Sequence, residues 1–242
     1  MAFTAKDVQA LREKTGVGMM DCKKALVEAE GDMDKAVDIL REKGLASAAK
    51  KSTRIAAEGV VAAYSDGKSG ALVEINCETD FVAKGEPFKN LAKKVVKTVV
   101  EKAPVDVDAL LKTPVSDGEG TVEEAVQEVF LALRENMKVR RFERAEGHVA
   151  TYIHAGGTVG VMVKFDVDDA TAAKPEFDAM GKNVAMQVAA MNPSYLDEAS
   201  VPAEVLEKEK MILVAQMKED PKMANKPEAV LHKIVEGKIG KY

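Results

Sequence analysis

Apolar positions at the start of the chain recur at helical spacing. Thr4 can cap a first helix, with Asp7 three residues on as its capping-box partner, and Val8 and Leu11 give that helix an apolar edge that ends at Gly16 and Gly18. A second helix carries Cys22, Ala25, Leu26 and Ala29 on one face and closes at Gly31. Asp32 is a good N-cap for a third, which carries Met33, Ala36, Val37 and Leu40 and is expected to end near Gly44. The segment "LASAAKKSTRIAAEG" then reads as a helical connector.

From Glu58 the period shortens to that of strands. "GVVAAY" and "GALVEINC" are β-rich runs joined by the turn signal "SDGKSG". Phe88, Leu91, Val95 and Val99 mark an amphipathic helix stopped by Pro104, and the stretch from Ala103 to Gly120 reads as a loop-rich connection. Thr121 and Glu124 open another helix as a capping box. The pattern then returns: "EGVVAAYSDGKSGALVEI" from Glu58 is echoed by "EGHVATYIHAGGTVGVMVKF" from Glu146, followed by a helix from Glu176 to Met191 with Phe177, Met180, Val184 and Val188 on one side. At the end, Ser200 and Pro202 open a helix through Asp220, and Glu228 to Lys241 forms its antiparallel partner. Val205, Ile212 and Leu213 are set to face Val230, Leu231, Ile234 and Ile239. The expected fold class is α+β: a helical bundle and connector over 1–54, a core subdomain over 55–144, and a related one over 145–242 that includes a helical hairpin over 201–241.

Composition narrows the function. Hydrophobic content of 46% supplies a core, and a formal net charge of −5 argues against broad binding to phosphate backbones. No nucleic-acid partner is therefore expected. Cys22 and Cys77 lack the paired spacing of a zinc site or a disulfide framework, which fits a reducing compartment. The N-terminus has no signal-peptide pattern, and no stretch reaches the about 18 uninterrupted apolar residues of a spanning helix. A cytoplasmic protein without membrane partners is expected.

The candidate chemistry is sparse. "GVGMMD" from Gly16 to Asp21 resembles a dinucleotide glycine loop only superficially, because it follows a helix and lacks the third Gly. Met19 and Met20 are adjacent on a short helix, so both cannot point inward; an exposed Met suits an adaptable protein-binding surface. His148 and His154 would stand about 20 Å apart on one strand, too far to share a metal. The lysine doublets at 23–24, 50–51 and 93–94 read as solvated faces. No nucleophile elbow or phosphate loop occurs, so no enzyme, cofactor or metal site is expected.

The stretch "INCETDFVAK" stands apart, because it places Phe81 at a strand-to-helix corner in a chain with 5% aromatic residues. Locally, Thr79 or Asp80 caps the next helix and Phe81 folds back as a hydrophobic staple. The other reading is that Phe81 projects as an anchor for a partner's pocket. Local mechanics alone favour the staple.

"LREKTGVGMMDCKKAL", "ALVEINCETDFVAK", "YIHAGGTVGVMV" and "HKIVEGKIGKY", in that order, resemble the bacterial elongation factor Ts family from near the N-terminus to the last residue. The resemblance implies a ubiquitin-associated-like N-terminal bundle, two α+β core subdomains and a protruding helical hairpin. It also implies a guanine-nucleotide exchange factor, not an enzyme, whose partner is elongation factor Tu carrying GDP and Mg²⁺. Thr79, Asp80, Phe81 and Val82 match the family's wedge, which disturbs the partner's Mg²⁺ site. Leu11, Met19 and Met20 of the bundle and His154 of the second subdomain match its partner-binding positions. Family members form one-to-one complexes or dimerise through the core, so a homodimer within the complex stays open. Members usually continue past the matching segment into a C-terminal module; the sequence here runs to Tyr242, and no contact of that module is carried over.

Exchange by such a factor is thermodynamic coupling: nucleotide and factor each weaken the other by the same ratio. Releasing a nucleotide a thousandfold faster requires about 4 kcal/mol, and burying one Phe supplies about 1.5–3 kcal/mol. Phe81 alone is insufficient, and the other contacts must hold the wedge in place. The alternatives are a binding module without exchange activity and an enzyme, for which no motif exists.

Overall fold

The computed structural model describes residues 3–220, 223 and 226–240. They fall into two compact units, divided between Met191 and Asn192. The sequence-based division at 54 and 144 lies inside the first unit.

The first unit begins with three helices, α1 (Ala5–Thr15), α2 (Met19–Glu28) and α3 (Met33–Lys51). The Thr4–Asp7 capping box starts α1, and Gly16 ends it in the left-handed conformation at φ 67°, which costs glycine nothing. Val8, Leu11, Val17, Cys22, Ala25, Leu26, Ala36 and Leu40 form the bundle's core. The expectation that the third helix ends near Gly44 is corrected: α3 runs on to Lys51 and takes up the first half of the connector. Gly44 serves close approach instead, since a Cβ there would lie 2.0 Å from Leu131 Cδ2.

Strands β1 (Glu58–Ser65) and β2 (Ser69–Cys77) form the expected antiparallel hairpin. They are followed by the short α4 (Asp80–Lys84) and by α5 (Glu86–Lys102). The region read as loop holds a further short helix, α6 (Val107–Lys112), capped by Asp106. Next come α7 (Val122–Leu133) and a strand that sequence reading missed, β3 (Lys138–Glu146), which joins β2 to give the order β1-β2-β3. The β2–β3 register shifts beside Glu74, so Arg140 and Arg141 both reach its carboxylate, at 2.8 and 2.7 Å. Val73, Ile75, Phe88, Val95, Val99, Leu110 and Val122 fill the space between this sheet and its helices. Helix α7 serves two cores: Val122 and Ala125 belong to the sheet's, and Leu131 to the bundle's.

The second repeat is a two-stranded sheet, β4 (His148–His154) with β5 (Val159–Phe165), then α8 (Asp169–Ala172) and α9 (Pro175–Met191). Its fit against the first hairpin depends on Gly157 and Gly160, whose added Cβ atoms would lie 2.9 Å from Val60 Cβ and 2.4 Å from Val61 Cγ1. The expected buried face of α9 is corrected. Phe177, Gly181 and Ala185 are buried while Met180 is exposed, because an added Cβ at Gly181 would lie only 2.8 Å from Ala150 Cβ. Small residues line the side that must approach the strands.

The second unit holds α10 (Ala203–Glu219) and α11 (Glu228–Ile239). Met217, Leu231 and Val235 form their buried seam, with Leu213, Val214 and Ile234 packed on it. Leu213, Leu231, Ile234 and Ile239 of the expected pairing lie on this seam, while Ile212 and Val230 turn away from it, 40% and 41% exposed. Lys241, the expected end of the last helix, lies outside the described residues.

Candidate functional site at the corner between β2 and α5

The corner is built from a deep base and a bare tip. Strand β2 delivers its last residues from the core, where Ile75 and Cys77 are fully buried. Burial pushes the Cys77 thiol up to about 11, and its Sγ donates to the Thr79 carbonyl at 3.2 Å. Thr79 then caps α4, its hydroxyl oxygen accepting the Val82 N–H at 3.4 Å, as local reading expected. The cap positions the next residues outward: Phe81 is 87% exposed. It does not fold back as a staple. Val82 is half-buried on the core, and Ala83 is buried beneath the tip.

A helix of five residues has no stability of its own. Outside ties hold it. The Thr79 N–H donates to Glu135 Oε2 at 3.0 Å and the Thr79 hydroxyl to Glu135 Oε1 at 2.6 Å. The neighbouring Asn136 N–H donates to Glu78 Oε1 at 2.7 Å, which holds the Glu78 carboxyl below its usual range. The Asn136 side chain donates to the carbonyls of Ser52 and Arg54, fixing the end of the connector. Arg134, at φ 60° just past α7, reaches Asp21 on α2 at 2.9 Å. One short turn, 134–136, thus ties the corner, the connector and the bundle together.

At the tip, Asp80 pairs with Lys84 at 2.6 Å, and that ammonium holds the Asp80 carboxyl below its ordinary range. The corner therefore shows a carboxylate and an aromatic ring side by side, both open to solvent.

The other residues singled out by sequence are placed as follows. Met19 and Met20 open α2 and are exposed, Met20 at 63%. Leu11 is 0% exposed inside the bundle, so its part is to support the helix that precedes them, since a side chain without accessible surface cannot touch a partner. His154 is exposed at the end of β4, its Nδ1 2.9 Å from the Tyr152 hydroxyl. Glu135 escaped sequence reading. It stands 56 residues from Thr79, and no local spacing signals a contact of that separation.

Comparison with known proteins gives a consistent picture. A family model described as "Elongation factor TS" matches residues 78–242, beginning at Glu78. The chain is 50% identical to elongation factor Ts of Clostridium perfringens over 245 residues, covering 99% of this chain and 78% of that protein. It is 48% identical to elongation factor Ts of a Nitratiruptor species and 46% identical to that of Syntrophotalea carbinolica, covering 100% of this chain and 79% of each relative.

Proposed function

The chain belongs to the elongation factor Ts family, and from that premise we propose that it binds elongation factor Tu in its GDP- and Mg²⁺-bound state and drives GDP out through the corner at Thr79–Val82. The observation that carries the proposal is Phe81, 87% exposed on a helix that is clamped at its N-cap, Thr79. An aromatic ring held out from a rigid corner loses little entropy on entering a pocket and gains its full burial there. Asp80 travels with it and brings a negative charge to the region of the partner's cation.

The corner acts by differential binding. It favours a partner conformation whose phosphate and Mg²⁺ ligands are displaced, and bound nucleotide favours the other, so each weakens the other reciprocally. No covalent step is involved and no catalytic residue is needed. Phe81 supplies about 1.5–3 kcal/mol if fully buried. The remaining contacts come from Met19 and Met20 and, on the second repeat, from His154. Leu11 contributes by shaping the bundle. The reading puts the protein in the cytoplasm beside its partner, and needs neither nucleic acid nor a membrane.

The test is release of a fluorescent GDP analogue from elongation factor Tu, with and without this protein. Acceleration by the parent chain and loss of most of it in Phe81→Ala is the expected result. Binding without acceleration would instead make the chain a binding module, and an unimpaired Phe81→Ala would remove the corner from the mechanism.

A further inference from the structure

Phe81 makes so little contact with its own chain that nothing at the ring determines where it points. Its direction is inherited from α4, which is only five residues long and begins just after Thr79. Both polar groups of Thr79 besides its carbonyl, the N–H and the hydroxyl, end on one carboxylate, that of Glu135. That carboxylate is not free to follow the tip. Its chain neighbours are fixed on either side, Arg134 by Asp21 at 2.9 Å and Asn136 by Glu78 and by the connector carbonyls.

We propose that Glu135 is the positioning residue of the corner: its two-pronged grip on Thr79 sets the direction in which Asp80 and Phe81 enter the partner. The inference rests on the exchange reading above and deepens it. Charge-assisted hydrogen bonds are the stronger kind and hold angle as well as distance, so a paired grip restricts rotation of the cap where a single bond would leave a hinge. Without the grip, α4 keeps its Thr79–Val82 cap bond but samples several directions. Only the fraction in the productive one engages without a reorganisation cost. Glu135 touches neither the partner nor the nucleotide in this account; it acts through Phe81.

A double-mutant cycle on the full chain tests this, read as the maximal rate of GDP release at saturating factor. Glu135→Ala is expected to slow release by about tenfold, equivalent to about 1.4 kcal/mol. In a Phe81→Ala background the same substitution is expected to change the rate by less than about twofold, the usual scatter for independent sites, because there is no ring left to aim. Glu135→Gln keeps the shape but makes both contacts neutral, so it is expected to slow release by less than the alanine variant, about threefold, and again only where Phe81 is present. It carries the test if the alanine variant folds poorly. An equal slowing in both backgrounds, or Glu135→Ala as fast as the parent, overturns the positioning role while leaving the exchange reading intact. Failure of Phe81→Ala itself to slow release overturns the exchange reading at the corner, and the positioning role falls with it.

Discussion

The two repeats follow one plan with unequal depth. In the first, Phe88, Leu91, Ala92, Val95, Val96 and Val99 of α5 are all buried. At the matching turns of α9 stand Phe177, Met180, Gly181, Val184, Ala185 and Val188, of which only Phe177, Gly181 and Ala185 are buried. The first hairpin gains a third strand and two further helices, and the second stays two-stranded. The corners match as well. Asp168 caps α8 by accepting the Thr171 N–H at 2.6 Å, as Thr79 caps α4. Yet Ala170 stands where the first repeat has Phe81, and no carboxylate grips Asp168 as Glu135 grips Thr79 among the described hydrogen bonds. A capped strand-to-helix corner is thus a common part of this fold. What distinguishes the first one is an aromatic ring, a clamp, and a deep core beneath both.

The largest effect that can break this comparison is in the cores. Phe88→Ala is expected to cost about 3–5 kcal/mol of unfolding free energy, and Phe177→Ala about half of that, because its site is shallower and can relax toward solvent. Phe177 meets Phe165 edge-on at 5.3 Å, so its loss is still felt. Urea unfolding of the two variants measures the ratio, and equal costs would mean that the repeats are equally deep.

Next in size is the corner's function. Phe81→Ala should slow stimulated GDP release by about tenfold to a hundredfold, the range set by burying one ring. It should change stability by less than about 0.5 kcal/mol, since the ring is exposed. The mirror experiment sharpens the point: Ala170→Phe places a ring on the unclamped corner and should add nothing to exchange. A gain there would show that the ring alone suffices.

How much of this was legible in the sequence follows from what each feature depends on. The bundle, both hairpins and the Thr79 cap were readable because period and cap chemistry act over a few residues. Strand β3 was missed because "KVRRFERAE" is dominated by charge. It holds its place through Val139 and Phe142 on the core and through Arg140 and Arg141 on Glu74, a partner supplied only by folding. Gly44 was misread as a stop signal because a packing glycine and a capping glycine look alike until Leu131 is seen against it. The exposure of Phe81 could not be settled locally, since a staple and an anchor have the same spacing. The grip of Glu135 depends on the turn after α7 lying beside the corner, which no spacing reports.

A smaller effect separates the caps. Thr79→Ala and Asp168→Ala each remove a helix cap and are expected to cost about 1 kcal/mol. Only Thr79→Ala should also slow GDP release, because only that cap carries the ring and the grip. Equal exchange in the two variants would argue that corner geometry is dispensable.

The smallest effect concerns the third strand, which the second repeat lacks. Burial pushes the Glu74 carboxyl up, but the hydrogen bonds from Arg140, Arg141 and Asn76 outweigh it and leave the group below its ordinary value of 4.5. A lowered carboxyl binds its proton less readily in the folded state than in the unfolded one. Its contribution is therefore complete above the ordinary value and is lost as pH falls through the lower, folded one. Both arginines are largely exposed, so solvent screens the interaction and the contribution stays below about 1 kcal/mol. Glu74→Gln should accordingly lower the urea midpoint slightly at pH 7, with the gap to the parent closing in the acid range below the ordinary carboxylate value. A gap that persists unchanged at low pH would mean that Glu74 supports β3 by shape and neutral hydrogen bonding, and that the bulge at Arg140 does not depend on its charge.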